Sequence, residues 1–238
     1  MFKDLITMLK LKNYNMSLDQ IITAEVSKDS FSDSLYEIAK RLDLKTFLEI
    51  GSSSGDGSTK ALVNGIQDSK NLAAKLFCME ISRPRFINLV KTYEKFPFVY
   101  PYNLSSVKIS DFPSKEAIVK FYNTVKTNLN NYDLDLILQW LQQDIDYIES
   151  HKINFCGIDF VKQCNSIEFF DFVLIDGSEF TGEIELQYVW GSKVIALDDV
   201  NAYKCFAAYK RLSNHYSYKL ISQDLNLRNG YAIFEKTI

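Results

Sequence analysis

Apolar and polar positions change period several times along the chain. Residues 1–42 follow helical spacing. Ser17 with Gln20 makes a capping-box pattern ahead of Ile21, Ile22 and Ala24. Ser34 with Glu37 makes another ahead of Ile38, Ala39 and Leu42. These helices are expected to pack as an N-terminal cover, with a substrate-side flap or a dimer surface as alternative uses. From residue 45 short apolar runs alternate with helical stretches. Strands are expected at 45–50, 75–80 and 98–102, and helices at 58–69 and 83–94. Such alternation implies right-handed crossovers and a parallel sheet, an α/β fold.

Residues 111–166 break this rhythm. Helices are expected at 115–126 and 134–149, the second with Leu136, Ile137, Trp140, Leu141, Ile145 and Ile148 at helical spacing, and a shorter one at 159–164. This stretch reads as a helical insertion within one domain spanning 1–238. The core pattern then resumes with strands at 171–176 and 193–198 and a helix at 202–212. A final antiparallel hairpin pairs 218–222 with 231–234, and Asn229-Gly230 ends its loop.

Candidate chemistry gathers at the strand ends. FLEIGSSSGDGST, residues 47–59, is a strand, a small-residue turn and a helix start. That form suits a nucleotide-type ligand, because glycine lets backbone approach it and a helix N-terminus presents free N–H groups. Four strands end in or near acids: Glu49, Glu80, Asp176 and the Asp198-Asp199 pair. In an open α/β sheet these ends share one crevice. Each acid alone could simply cap a helix. The glycines follow GxxxGxG, not the GxGxxG of a dinucleotide turn, so an NAD(P)-dependent oxidoreductase is the less favoured reading. The turn fits a ligand without phosphates, with Glu80 accepting from a ribose diol.

Composition narrows the partners. Of 238 residues, 47% are hydrophobic and 24% charged, with a net charge of −3, which argues against nucleic acid as the main partner. Cys78, Cys156, Cys164 and Cys205 form no CxxC pair and read as reduced thiols of a cytoplasmic protein. His151 and His215 are the only histidines, too few for a three-histidine metal site. The amphipathic start MFKDLITMLKLKNY does not read as a signal peptide. No run reaches the roughly 18 apolar residues of a membrane span. Lys204 and Arg228 read as solvated surface charges, with a grip on an anionic acceptor as the alternative. The Tyr-, Phe- and Leu-rich N-terminal region and insertion can either complete the core or form a homodimer interface.

Together these motifs resemble the class I S-adenosylmethionine-dependent methyltransferases. EIGSSSGDGST, FVLIDGSEF and VIALDDV are similar to stretches of the macrocin-type and catechol-type O-methyltransferases. The resemblance covers about 45–110 and 167–236. It implies a Rossmann-like, mostly parallel seven-stranded sheet with an antiparallel last strand. It further implies S-adenosyl-L-methionine on Glu49, Gly51, Ser52, Ser53, Ser54, Gly55, Glu80, Ile81, Ser105, Ser106, Asp176 and Gly177. The relatives bind magnesium through the acids matching Asp176, Asp198 and Asp199, to orient an acceptor hydroxyl. A helix cap or a metal-free site is the alternative here. Where macrocin-type relatives carry a histidine and catechol-type ones a lysine, this chain has Gly177-Ser178-Glu179. Glu179 is therefore the candidate general base, with substrate binding or metal ligation as its other uses. The acceptor implied is a small molecule or glycan bearing a hydroxyl. A non-catalytic S-adenosylmethionine-binding protein is a further alternative.

Overall fold

The computed structural model describes residues 18–237. Seven strands form one sheet: β1 (Thr46–Ile50), β2 (Lys75–Met79), β3 (Val99–Tyr102), β4 (Phe172–Ile175), β5 (Val194–Asp198), β6 (Tyr218–Asp224) and β7 (Tyr231–Lys236). Their order is β3-β2-β1-β4-β5-β7-β6. Strands β1 to β5 pair in parallel, and β7 runs antiparallel to both neighbours. The central strands are apolar and covered on both faces: every residue of β4 and β5 is buried. That is why these segments lack strand alternation in sequence.

The helices are α1 (Ser30–Ala39), α2 (Ser58–Ser69), α3 (Arg83–Tyr93), α4 (Lys115–Thr124), α5 (Leu134–Ser150), α6 (Gly157–Asn165), α7 (Gly182–Val189) and α8 (Tyr203–Ser213). One apolar cluster joins α1, α2 and α3 to one sheet face through Phe31, Leu35, Leu62, Ile66 and Leu89. A second joins α6, α7 and α8 to the other through Ile158, Leu186, Ala208 and Leu212. The insertion has its own small cluster, Ile118, Leu129, Ile137, Leu141 and Phe180. Phe180 belongs to the segment after β4, so the insertion packs directly over the end of that strand.

The N-terminal expectation is corrected in two places. The residues around Ile21, Ile22 and Ala24 are not helical but form an irregular segment. The true cap of α1 is Asp29: its carboxylate accepts from Ser32 N at 2.8 Å, and Ser32 Oγ accepts from Asp29 N at 3.0 Å. Ser34 lies inside the helix. Both Ser17 and the amphipathic start lie outside the described residues.

Sheet order reverses between β1 and β4, and a crevice opens there beyond the carboxyl ends of the strands. Gly51 makes that junction close. Its φ is +89°, and a Cβ there would lie 2.0 Å from the Asp176 carbonyl oxygen. Any side chain would push β1 and β4 apart.

Candidate functional site

A cavity of about 500 Å³ fills the crevice. Its floor is the turn after β1. Gly51 N and Ser52 N both donate to Met79 O at 3.0 Å, which ties the turn to β2. Tyr93 Oη donates to Gly55 O at 2.6 Å, which fixes the turn's far side on α3. Ser53 adopts a left-handed φ of 49°, and the Ser54 hydroxyl is buried without a hydrogen-bond partner among the described residues. A buried unpaired hydroxyl beside a cavity is a ready contact for a ligand.

Glu80 follows β2. Ser53 N donates to its Oε2 and Ser82 N to its Oε1, each at 2.7 Å. These two bonds fix the carboxylate at the cavity wall and leave each oxygen a further lone pair for a ligand hydroxyl. Burial pushes its pKa up, and the Ser82 N–H opposes that. Asn103, which sequence reasoning passed over, donates through Nδ2 to the carbonyls of Glu80 and Ile81 at 2.8 Å and so sets this loop.

The opposite wall is formed by the ends of β4 and β5. Asp176, Gly177, Ser178 and Glu179 follow β4 and line the cavity, as do Asp198 and Asp199. Asp199 has a φ of +57°, uncommon for a residue with a Cβ. The hairpin loop holds that conformation: Val200 N donates to Gly230 O at 3.0 Å and Asn201 N to Asn229 O at 2.8 Å. Backbone strain of this kind at a cavity is a mark of a functional residue.

Carboxylate oxygens of Asp176, Asp198 and Asp199 come within 4.8 Å of one another. That oxygen set has the chemistry magnesium uses. Two basic side chains, however, already pair with these acids. Lys204 Nζ lies 2.8 Å from Asp176 Oδ1 and 2.6 Å from Asp199 Oδ2. Arg228 Nη2 lies 3.4 Å from Asp198 Oδ1, and Nη1 pairs with Asp29. In this arrangement the triad does not fit a magnesium ion, because an ammonium stands between two of its three ligands. Lys204 is itself buried, contrary to its reading as a surface charge. Burial alone would lower its pKa, but the facing carboxylates of Asp176, Asp199, Asp198 and Glu179 hold it well above the ordinary lysine range. Burial and the charge of Asp199 push Asp198 up to about 6.

Glu179 lies beside this cluster, where Lys204 N donates to its Oε1 at 3.3 Å. Burial pushes its pKa up to about 7, against the pull of Lys204. The insertion supplies another acid that sequence reasoning missed. Asp144 of α5 lines the cavity, accepts from Ser178 Oγ at 2.5 Å, and is raised by burial to about 6.

Comparison with solved structures bears on the fold. The chain is similar to the O-methyltransferase from Bacillus cereus in complex with SAH, with a TM-score of 0.54 and 13% identity over 99% of this chain and 90% of that one. It is also similar to the O-methyltransferase TomG from Streptomyces achromogenes, involved in tomaymycin synthesis and solved with SAM. That likeness has a TM-score of 0.52 and 11% identity over 90% of this chain and 82% of the other. The chain has the class I S-adenosylmethionine-dependent methyltransferase fold. No protein-family model matches its sequence, and no curated protein matches it.

Within this methyltransferase fold most of the expected residues meet in one cavity. Gly51, Ser52, Ser53, Ser54, Glu80, Ile81, Ser105, Ser106, Asp176, Gly177 and Glu179 all line it. The hydroxyls of Ser105 and Ser106 turn to protein partners, Val107 O and Glu185 Oε1, both at 2.5 Å. Glu49 does not line the cavity. It is fully buried beneath α2, where Ser58 Oγ and Thr59 Oγ1 donate to its two oxygens at 2.6 Å. Its part is to hold the start of α2. Gly55 likewise acts from behind the turn, packed on Tyr93 and Leu89.

Lys204, whose burial sequence reasoning misread, and Asp144, which it passed over, both carried a sequence signal. Lys204, Ala208 and Leu212 share one helical stripe, which is the buried face of α8. Asp144 lies on the stripe of Ile137, Leu141 and Ile148, the buried face of α5. A charged residue on an apolar stripe is the cue in both cases.

Proposed function

We propose that this protein is an S-adenosylmethionine-dependent O-methyltransferase acting on a hydroxyl of a small polar acceptor such as a sugar. The observation that carries the reading is Glu80, held by Ser53 N and Ser82 N at the rim of a glycine turn in the crevice. The charge of the cavity supports it. Eight of its lining residues are carboxylic acids, against Arg85 and Lys204 as its only basic residues among the described ones. That field favours a ligand bearing a sulfonium and an ammonium and opposes the diphosphate of a dinucleotide.

S-adenosylmethionine would supply an electrophilic methyl group. The chain's own residues have three tasks. Glu80 accepts hydrogen bonds from the ribose diol, while the Gly51–Gly55 turn and the Ser54 hydroxyl face the amino-acid part. Trp140, Tyr132 and Gln143 of the insertion line the acceptor side with Asp144 and Asn128, a mixture of ring faces and polar groups suited to a polyol. Glu179, raised to about 7, takes the hydroxyl proton as the acceptor oxygen attacks. Alignment of nucleophile and methyl carbon is the larger contribution, about 7–11 kcal/mol in favourable systems.

Incubation with methyl-labelled S-adenosylmethionine and a panel of uncharged sugars, glycosides and phenols tests the reading. Label is expected on a hydroxyl oxygen of one class. Transfer to amines alone would overturn it.

A further inference from the structure

Lys204 enters the crevice from the first turn of α8, and its place there is fixed by packing. A Cβ on Gly182 would lie 2.1 Å from the Lys204 carbonyl oxygen, so α7 and the start of α8 are in close contact. The side chain is buried, and its Nζ lies between Asp176 and Asp199. Arg228 balances the third acid, Asp198. An ammonium has three donors. Two serve Asp176 and Asp199, and the third is left for the cavity that Lys204 lines.

We infer that the Lys204 ammonium is the built-in cation of this site, standing where a divalent ion would have to bind and offering its third N–H to the acceptor oxygen. The structural argument is one of exclusion. Magnesium needs ligand oxygens at about 2.0–2.1 Å and keeps several waters. Such an ion cannot share the space between Asp176 and Asp199 with an ammonium already in contact with both. The acceptor half of the inference rests on the proposed methyl transfer; the charge half does not.

Manganese titration followed by electron paramagnetic resonance tests it on the full chain. Wild-type protein is expected to show no stoichiometric manganese binding, and its melting temperature is expected to be the same in EDTA and in magnesium. Lys204→Met removes the ammonium and leaves the three carboxylates facing one another. This variant should melt lower in EDTA, recover on adding manganese or magnesium, and bind manganese about tenfold or more tighter than wild type, since no like charge opposes the ion. Should the methionine variant not fold, Lys204→Arg, which keeps the charge, and the wild-type titration still decide the question. One tight manganese ion per wild-type chain, abolished by Asp199→Asn, would overturn the inference. So would unchanged manganese affinity in folded Lys204→Met. Neither outcome depends on S-adenosylmethionine, so failure of the methyl-transfer reading registers separately, in the labelling experiment.

Discussion

The carboxyl of Glu179 is raised to about 7 by burial, and the consequences differ for activity and for stability. As a base it must be ionised, so the turnover rate should climb through about pH 7. Glu179→Gln should lower it by about 10²–10⁴-fold while leaving S-adenosylmethionine affinity nearly unchanged. A pH–rate profile and calorimetric titration check the pair. Stability runs the other way. The folded protein holds this proton more tightly than the unfolded chain does, so the associated stabilisation is complete below about pH 4.5 and is lost as pH rises through about 7. Urea unfolding should therefore show Glu179→Gln losing less stability than wild type between pH 5 and 8, by up to about 3 kcal/mol. Gly51 is the other single residue with a clear forecast. Gly51→Ala forces a Cβ onto the Asp176 carbonyl at a φ of +89°. The melting temperature should fall, and the cost should exceed the roughly 1 kcal/mol of an ordinary unfavourable glycine replacement.

At the scale of elements, the strand–helix alternation was readable because each central strand is a short apolar run with an acid at its end. The strands and most helices therefore fall within two residues of where the pattern puts them. The departures have physical causes. Residues 18–26 carry helix-like spacing but serve as a cavity wall, held by Arg85 Nε donating to Gln20 O and by Tyr147 Oη donating to Asp19. Such tertiary bonds outweigh a weak local preference. Asp29, not Ser34, starts α1: its Oδ1 accepts from Ser32 N while its Oδ2 pairs with Arg228, and the Ser34 hydroxyl instead donates to Ser30 O within the helix. The site was legible in its strand-end acids and glycine turn. For Lys204 and Asp144 the apolar stripe signalled burial, but their partners Asp176, Asp199 and Ser178 are distant in sequence and could not be read from it. The insertion bears a prediction of its own. Trp140 and Asp144 sit on α5 and line the cavity, and Asp144 accepts from Ser178 Oγ beside Glu179. Trp140→Ala and Asp144→Asn should raise the acceptor KM without a matching change in S-adenosylmethionine affinity, which steady-state kinetics and calorimetry separate.

Across the whole molecule, the crevice joins parts that are far apart in the chain. The N-terminal segment, the turn after β1, the insertion and the hairpin loop all contribute walls. A ligand that bridges them should stabilise the folded state as a unit, by about 2.7 kcal/mol at a hundredfold excess over its Kd. The central claim is that Glu80 and the glycine turn hold S-adenosylmethionine. Calorimetric titration of wild-type protein and Glu80→Ala with S-adenosylmethionine, and of wild type with NAD, tests it most directly. One S-adenosylmethionine per wild-type chain is expected, weakened about 10–100-fold in Glu80→Ala by loss of charge-assisted hydrogen bonds, with no binding of NAD. Binding of NAD without S-adenosylmethionine, or an affinity untouched by Glu80→Ala, would contradict the account.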